Sequence, residues 1–305
     1  MYTENEVMTT FPLFRNFTLI AAVLTFGWHS NVYSNDILTV LALISIFIFG
    51  MPHGALDIIL LKRISGYSKR KSIVLGNKAA VRVIVTTSIY LFVVVVSFAV
   101  WLAYPTLCLV AFLIIGILHF RHDWGLKSSR LAYLTSTVVV CSPSLIYGTQ
   151  IEQIFVWLLV PPLHAQYITQ LMFGACLAAT FGAVGTLLVT KSDVKIISAL
   201  SLIIIAACLL PPLLFFTLYF CAIHAVYHTK LVQKRNQMTM QELYQTSLFP
   251  MAGTLVIFVL AYLFLQQINT QNSWTALIFI GLFAVTIPHI IIEFIASKRL
   301  SKFTY

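Results

Sequence analysis

The stretch AVRVIVTTSIYLFVVVVSFAVWLA, residues 80–103, contains one charged residue, Arg82, and decides the solvent in which this chain folds. A helix rises about 1.5 Å per residue, so about 20 apolar residues cross the hydrocarbon core of a bilayer. The whole chain has the same character: 60% of its 305 residues are hydrophobic and 9% are charged. Soluble domains carry about 25% charged residues. The sequence therefore predicts a polytopic membrane protein.

Ten apolar runs of this kind are separated by proline, glycine or polar breakers. Each run predicts a transmembrane helix, so the expected fold is an all-α helical bundle in which residues 1–305 form a single integral membrane domain. Residues 150–163 (QIEQIFVWLLVPPL) are too short and interrupted to cross, and predict a re-entrant or interfacial helix. The ten runs cover residues 12–28, 37–61, 80–103, 104–120, 131–148, 166–190, 195–210, 212–231, 249–268 and 274–297.

Basic residues in short loops mark the cytoplasmic side of a membrane protein. With ten spans, and with residues 150–163 not crossing, all 19 Lys and Arg residues fall on one side. Both termini are then predicted to be cytoplasmic, and no cleavable signal peptide is expected at the polar start MYTENEV. This topology accounts for the net charge of +10, so no nucleic-acid partner is expected.

Histidines carry the functional information in this sequence. Five of the eight lie where predicted spans approach the cytoplasmic face, whereas His29 and His164 fall at the opposite face and are expected to be ordinary interfacial residues. Ionisable groups at that depth are costly unless they are paired or line a cavity. One such histidine could be a satisfied core residue, but five at one depth predict a shared site. They are His53 in FGMPHGALD, His119 in GILHFRHDW, His224 and His228 in HAVYH, and His289 in TIPHIIIEF.

The spacing of these histidines favours metal binding. His224 and His228 are four residues apart, on one helical face, so both imidazoles can reach one ion. Each of the other three is followed four residues later by an acid, which can accept one imidazole N–H and leave the other nitrogen for a metal. Imidazole and carboxylate without a thiolate suit Fe, Zn or Cu. The predicted pairs are His53 with Asp57, His119 with Asp123, and His289 with Glu293.

Four motifs in this order, FGMPHGALDIILLK, LHFRHDWG, HAVYH and PHIIIE, closely resemble the Brp/Blh family of bacterial and archaeal membrane β-carotene 15,15'-dioxygenases. The resemblance covers about residues 37–297. It implies Fe(2+)-dependent cleavage of the central double bond of β-carotene by O2, which gives two molecules of all-trans retinal. It also implies a bacterial inner membrane location and a light-driven rhodopsin as the consumer of retinal. The implied iron ligands are His53, His119, His224 and His228, with Asp57, Asp123, His289 and Glu293 as orienting residues.

A rigid apolar polyene can enter a site within the lipid bilayer sideways, without crossing water. Aromatic residues beside the histidines are candidates for the substrate tunnel, although each could instead pack in the core or face lipid. His122 departs from the family pattern and is expected to be a solvated loop residue. Three alternatives remain: a membrane di-iron hydroxylase or desaturase acting on a lipid or carotenoid, a bis-histidine haem protein, and a non-enzymatic proton relay. The tunnel candidates are Phe120, Tyr219, Phe220 and Tyr227.

Overall fold

The structure is a computed structural model that describes residues 4–29, 35–50, 57–64, 72–126, 128–190, 194–268 and 272–300. These residues are helices joined by turns, with no strand among them, which confirms the predicted all-α class. The chain divides into two compact units. The first unit comprises residues 1–50 and 106–228, and the second comprises residues 51–105 and 229–305. The single integral membrane domain stays a prediction.

The helices of the described residues follow the apolar runs closely. In chain order they are α1 (Glu4–His29), α2 (Asn35–Ser45), α3 (Asp57–Ile64), α4 (Ser72–Ala103), α5 (Pro105–Phe120), α6 (Ser129–Cys141), α7 (Gly148–Trp157), α8 (Pro162–Thr190), α9 (Val194–Leu209), α10 (Pro212–Tyr219), α11 (Ala225–Asn236), α12 (Met240–Ile268) and α13 (Ser273–Leu300). Two π-helical segments, Ile46–Gly50 and Phe220–His224, directly follow α2 and α10. Proline begins α5, α8 and α10, where its missing N–H costs no helical hydrogen bond.

Four helical stretches are long and apolar enough to cross a membrane: Ile84–Ala103, Pro162–Val189, Pro212–Lys234 and Ser273–Ile295. Two bent pairs would raise the number to six, namely Ser129–Leu145 with Gly148–Trp157 (99°) and Met240–Leu248 with Met251–Gln267 (41°). The apolar helices Asn16–Thr25, Pro105–Phe120 and Lys195–Leu209 are shorter. The described residues thus support four to six spans. Ten spans stay a prediction, because three of the predicted runs form these shorter helices and the run 37–61 includes residues 51–56, which lie outside the described residues.

The helix predicted at residues 150–163 corresponds to α7, which the 99° bend separates from the preceding helix. Leu159, just after it, has a φ of 70°, a left-handed conformation that L-residues rarely adopt, so the chain reverses sharply before Pro162 begins α8. A short helix with this bend is compatible with a segment that does not cross. Its depth in a membrane stays a prediction.

Large apolar side chains lie exposed on the long helices. Phe92 on α4 is 67% exposed, and Phe181 and Val189 on α8 are 74% and 85% exposed. Contiguous apolar surface of this kind is unfavourable in water and is normal where a helix contacts lipid. Helix length, apolar composition and surface together are those of a membrane protein.

In the first unit, α8 packs against α6 and α7. The approach of α8 to α6 is close, because a Cβ at Gly182 would lie 3.2 Å from Leu134 Cδ2. At another place in this unit, α1 packs against the π-helical segment Phe220–His224. The Phe14 ring of α1 also lies 5.0 Å from the Trp124 ring, so α1 supports the turn that follows α5.

In the second unit, α13 packs against α3, α4 and α12. The buried Trp101 ring of α4 meets Phe283 of α13 edge-on, with ring centroids 5.0 Å apart. Gly281 of α13 faces Phe258 of α12, and a Cβ at this position would lie only 2.5 Å from Phe258 Cε1. The α12–α13 contact therefore depends on a residue without a side chain at position 281.

Candidate metal centre

Three of the histidines predicted to bind metal lie together in the first unit. His119, His224 and His228 each offer one ring nitrogen within 4.8 Å of the others. The ring centroids are 4.8 Å apart for His119 and His224, 5.1 Å for His119 and His228, and 4.6 Å for His224 and His228. His224 is 1% exposed and His228 is 5% exposed. The cluster is thus largely shielded from solvent.

Local structure explains how two helices supply three imidazoles. His119 is the penultimate residue of α5, and His224 closes the π-helical segment that precedes α11. His228 lies one helical turn after His224, so the two rings project from the same face. The i, i+4 spacing read from the sequence therefore produces the expected neighbours, and α5 contributes the third ring.

Asp123 contacts this cluster from the turn after α5. Its side chain is fully buried, and His224 Nδ1 lies 3.1 Å from Oδ1 and 3.0 Å from Oδ2. His228 Nε2 lies 3.5 Å from Oδ1, and the Tyr219 hydroxyl donates to Oδ2 at 3.1 Å. Because a carboxylate only accepts hydrogen bonds, Nδ1 of His224 carries a proton, and Nε2 is the nitrogen left for a metal.

The charge of Asp123 follows from these neighbours. Burial alone would raise the pKa of its carboxyl group, because a charged carboxylate is poorly solvated inside a protein. The charge and hydrogen bonds of His224 and His228 oppose burial and lower this pKa to about 2. Asp123 is therefore an anion at neutral pH, and it favours the positive charge of a bound metal ion.

The expected pairing of Asp123 with His119, four residues earlier, does not account for these contacts. That expectation assumed a continuous helix, but α5 ends at Phe120. The chain then turns, with the Asp123 N–H donating to the Phe120 carbonyl at 3.0 Å. The turn directs the carboxylate toward His224 and His228 on the other helix.

All four predicted tunnel residues lie in or beside the cluster. Phe120 and Phe220 lie 4.8 Å and 5.4 Å from the His224 ring, measured between centroids. Tyr219 is 5.3 Å from Phe120, and Tyr227 meets His228 edge-on at 5.5 Å. The aromatic rings make the surroundings of the imidazoles largely apolar. A role for these residues in binding substrate stays a prediction.

A second polar group lies in the second unit, on α3, α4 and α13. His289 Nδ1 is 2.7 Å from Asp57 Oδ1, and the Tyr90 hydroxyl donates to Asp57 Oδ2 at 3.1 Å. His289 Nε2 is 3.9 Å from Glu293 Oε2, the pairing that the spacing predicts. His53, the expected partner of Asp57, lies outside the described residues. The contact of Asp57 with His289 joins elements far apart in the chain, so local spacing could not predict it.

The remaining histidines make other contacts. His122 is half-buried and accepts a hydrogen bond from Arg121 Nε at 3.1 Å. The Arg121 guanidinium also lies over the Tyr133 ring, 4.9 Å from its centroid, and hydrogen-bonds the Tyr133 hydroxyl. His122 is thus part of a packed turn, more enclosed than the solvated loop expected. His164 is hydrogen-bonded to Thr106 at 3.0 Å near the surface, and the side chain of His29 lies outside the described residues.

The ligand atoms of the cluster in the first unit are of a kind that binds a metal ion. Three imidazoles lie together, two of them buried and His119 half-buried, and an ionised carboxylate holds the tautomer of one of them. Imidazole donors suit Fe, Zn and Cu, and none of the ligand groups in the cluster is a thiolate. Sequence reasoning missed two hydroxyl groups, those of Tyr90 and Tyr219, because a tyrosine within an apolar run gives no sign that its hydroxyl meets a buried carboxylate.

Comparison with known proteins gives two related findings. A family model described as "Beta-carotene 15,15'-dioxygenase" matches residues 44–295. A curated protein named beta-carotene 15,15'-dioxygenase, from uncultured marine bacterium 66A03, is 28% identical over 281 residues. That alignment covers 86% of this chain and 95% of the relative. No solved structure matches.

Proposed function

Since this chain belongs to the beta-carotene 15,15'-dioxygenase family and is a carotenoid-cleaving dioxygenase, we propose that it cleaves β-carotene at the central 15,15' double bond. O2 is the second substrate, and one oxygen atom goes to each half of the polyene. The products are two molecules of all-trans retinal, so all atoms are accounted for. The observation that carries the proposal is the buried cluster of His119, His224 and His228 with Asp123.

The ion that we propose for this cluster is Fe(2+), which supplies one-electron chemistry with O2 that no protein side chain supplies. His119, His224 and His228 would hold it, and His53 is the fourth ligand on the strength of the sequence resemblance. Asp123 would orient His224 by accepting a hydrogen bond from its Nδ1–H. The di-iron, haem and proton-relay alternatives gain no support from the family match.

The surroundings of the cluster suit an apolar substrate. Phe120 and Phe220 flank His224, so a polyene beside the ion would contact aromatic faces. These rings also keep water away from the histidines. We propose that the polyene enters from the lipid, which dissolves it, and that Tyr219 and Tyr227 line its path. Asp57, His289 and Glu293 have a supporting role in the second unit, where they connect α3 to α13.

The proposed setting is the bacterial inner membrane, with ten spans in one membrane domain and both termini in the cytoplasm. The exposed apolar side chains of α4 and α8 support insertion in lipid. Retinal keeps an apolar polyene and gains one aldehyde, so it still dissolves in the bilayer, where it would be available to another membrane protein. A light-driven rhodopsin is the partner that we propose as its consumer.

A bacterium engineered to make β-carotene provides the test. Cells that express the chain should turn from orange to pale and accumulate retinal, measured by chromatography of a cell extract. His224→Ala and His228→Ala should abolish the colour loss while the protein remains in the membrane. His164→Ala, a surface histidine away from the cluster, should bleach like the wild type. Unchanged colour with well-expressed, iron-loaded wild-type protein would refute the proposed reaction.

A further inference from the structure

Tyr219 differs from the other aromatic residues of the site, because its hydroxyl meets a charge. The residue is 1% exposed, and its hydroxyl donates to Asp123 Oδ2 at 3.1 Å. The same oxygen accepts from His224 Nδ1 at 3.0 Å. One carboxylate oxygen therefore joins a phenol to an imidazole that we propose as a metal ligand.

The π-helical segment Phe220–His224 explains how both side chains reach one oxygen. Tyr219 and His224 are five residues apart, and in a regular α-helix such residues face directions about 140° apart. The i→i+5 hydrogen bonds of a π-helix bring residues at this separation closer to one side, and such segments are frequent at functional sites. Here the segment begins right after Tyr219 and ends at His224 itself.

The fully buried carboxylate needs this donor. Asp123 is 0% exposed, so no bulk water solvates its charge, and a buried charge is tolerated only when its lone pairs are hydrogen-bonded. His224 contacts the carboxylate through Nδ1, whereas His228 does so through Nε2, a nitrogen for which a bound ion would compete. Tyr219 donates to the carboxylate through its own hydroxyl and occupies none of the ring nitrogens that an ion would take. Its hydroxyl can therefore hold the carboxylate whether or not a metal is present.

We infer that Tyr219 is a positioning residue: by hydrogen bonding to Asp123 it fixes the carboxylate that sets the tautomer and direction of His224. The inference rests on the proposed function only in taking His224 as a metal ligand. Partners that orient a ligand are worth about 10- to 100-fold in metal affinity. Tyr219 acts through Asp123, so its hydroxyl is expected to contribute about tenfold, the lower end of that range.

The experiment measures Co(2+) binding to purified full-length protein in detergent, followed by the visible absorption of the bound ion. Tyr219→Phe removes one oxygen and keeps the ring, and should weaken Co(2+) binding about tenfold with an altered absorption band. Tyr147→Phe is the matched control. It makes the same change in the first unit, at the half-buried N-cap residue of α7, and should bind like the wild type.

A double-variant cycle separates positioning from packing. If Tyr219 acts through Asp123, the Asp123→Asn/Tyr219→Phe protein should bind Co(2+) no more weakly than Asp123→Asn alone. Independent, multiplying losses would overturn the inference, as would unchanged binding in Tyr219→Phe. Wild-type protein that binds Co(2+) but leaves β-carotene intact would refute the reaction and leave the cycle as a valid test of Tyr219. Wild-type protein that binds no Co(2+) would overturn the inference, while the colour of β-carotene-producing cells would still decide the proposed reaction.

Discussion

Replacing His289 by Ala should destabilise the protein strongly. The His289 and Asp57 side chains are 8% and 5% exposed, and their atoms lie 2.7 Å apart. Removing one partner of a buried pair typically costs about 3–5 kcal/mol, because the other charge stays buried without compensation. Tyr90 still donates to Asp57 in the variant, so the loss in the free energy of unfolding should be close to 3 kcal/mol.

Thermal unfolding in detergent measures this loss. With an unfolding entropy of about 2.1 cal/mol/K per residue, a chain of 305 residues shifts by about 1.6 °C per kcal/mol, so the unfolding midpoint of His289→Ala should fall by about 5 °C. His164→Ala is the control, since that histidine is exposed and hydrogen-bonds only near the surface. Its free energy of unfolding should stay within about 0.5 kcal/mol of the wild type.

A second substitution tests whether the uncompensated charge causes the loss. Asp57→Asn in the His289→Ala background removes the charge and keeps an oxygen that accepts from Tyr90. The double variant should therefore recover much of the lost stability, since a neutral amide costs far less to bury than a carboxylate. A double variant less stable than His289→Ala would show that the charge of Asp57 is compensated in another way, and would refute the reasoning.

Two further predictions concern packing, one in the second unit and one in the first. Gly281→Ala should lower the free energy of unfolding by about 1–3 kcal/mol, because the new Cβ would meet the Phe258 ring. Gly253→Ala is the control and should not lower it, since a Cβ at position 253 would have no atom within 4 Å. An unchanged unfolding midpoint for Gly281→Ala would show that the Phe258 ring moves aside at no cost. Arg121→Lys should lower the free energy of unfolding by about 0.5–1 kcal/mol, because it removes the planar guanidinium that stacks on Tyr133. In a protein that already carries Arg121→Lys, the further change Tyr133→Leu should not cause this loss a second time. If Tyr133→Leu lowered the free energy of unfolding by the same amount in the Arg121→Lys protein, the stack of Arg121 on Tyr133 would not be the source of the stabilisation.

Much of the secondary structure could be predicted from sequence, because apolar runs and proline positions are local signals. Pro105, Pro162 and Pro212 begin helices where the sequence placed breaks. The number of membrane crossings is less certain from the same signals. α5 and α9 are apolar but shorter than a full span, so composition alone does not decide whether each crosses.

The candidate site shows the same limit at the level of side chains. Depth and spacing suggested that His119, His224 and His228 meet, and the structure brings their nitrogens within 4.8 Å. The position of Asp123 could not be predicted, because it depends on where α5 ends and how the turn directs the carboxylate. The π-helical segment Phe220–His224 also could not be predicted from the sequence, because such a segment depends on packing against neighbouring helices and not on a local sequence pattern.

The side chains of the cluster are separated widely along the chain, and this bears on how the protein is synthesised. Asp123 and His224 are 101 residues apart, with α6 to α10 between them. The ribosome therefore synthesises His119 and Asp123 long before it synthesises His224 and His228. The ion proposed for this cluster would therefore bind only after about three quarters of the polypeptide has been synthesised, so the early helices would insert without its help.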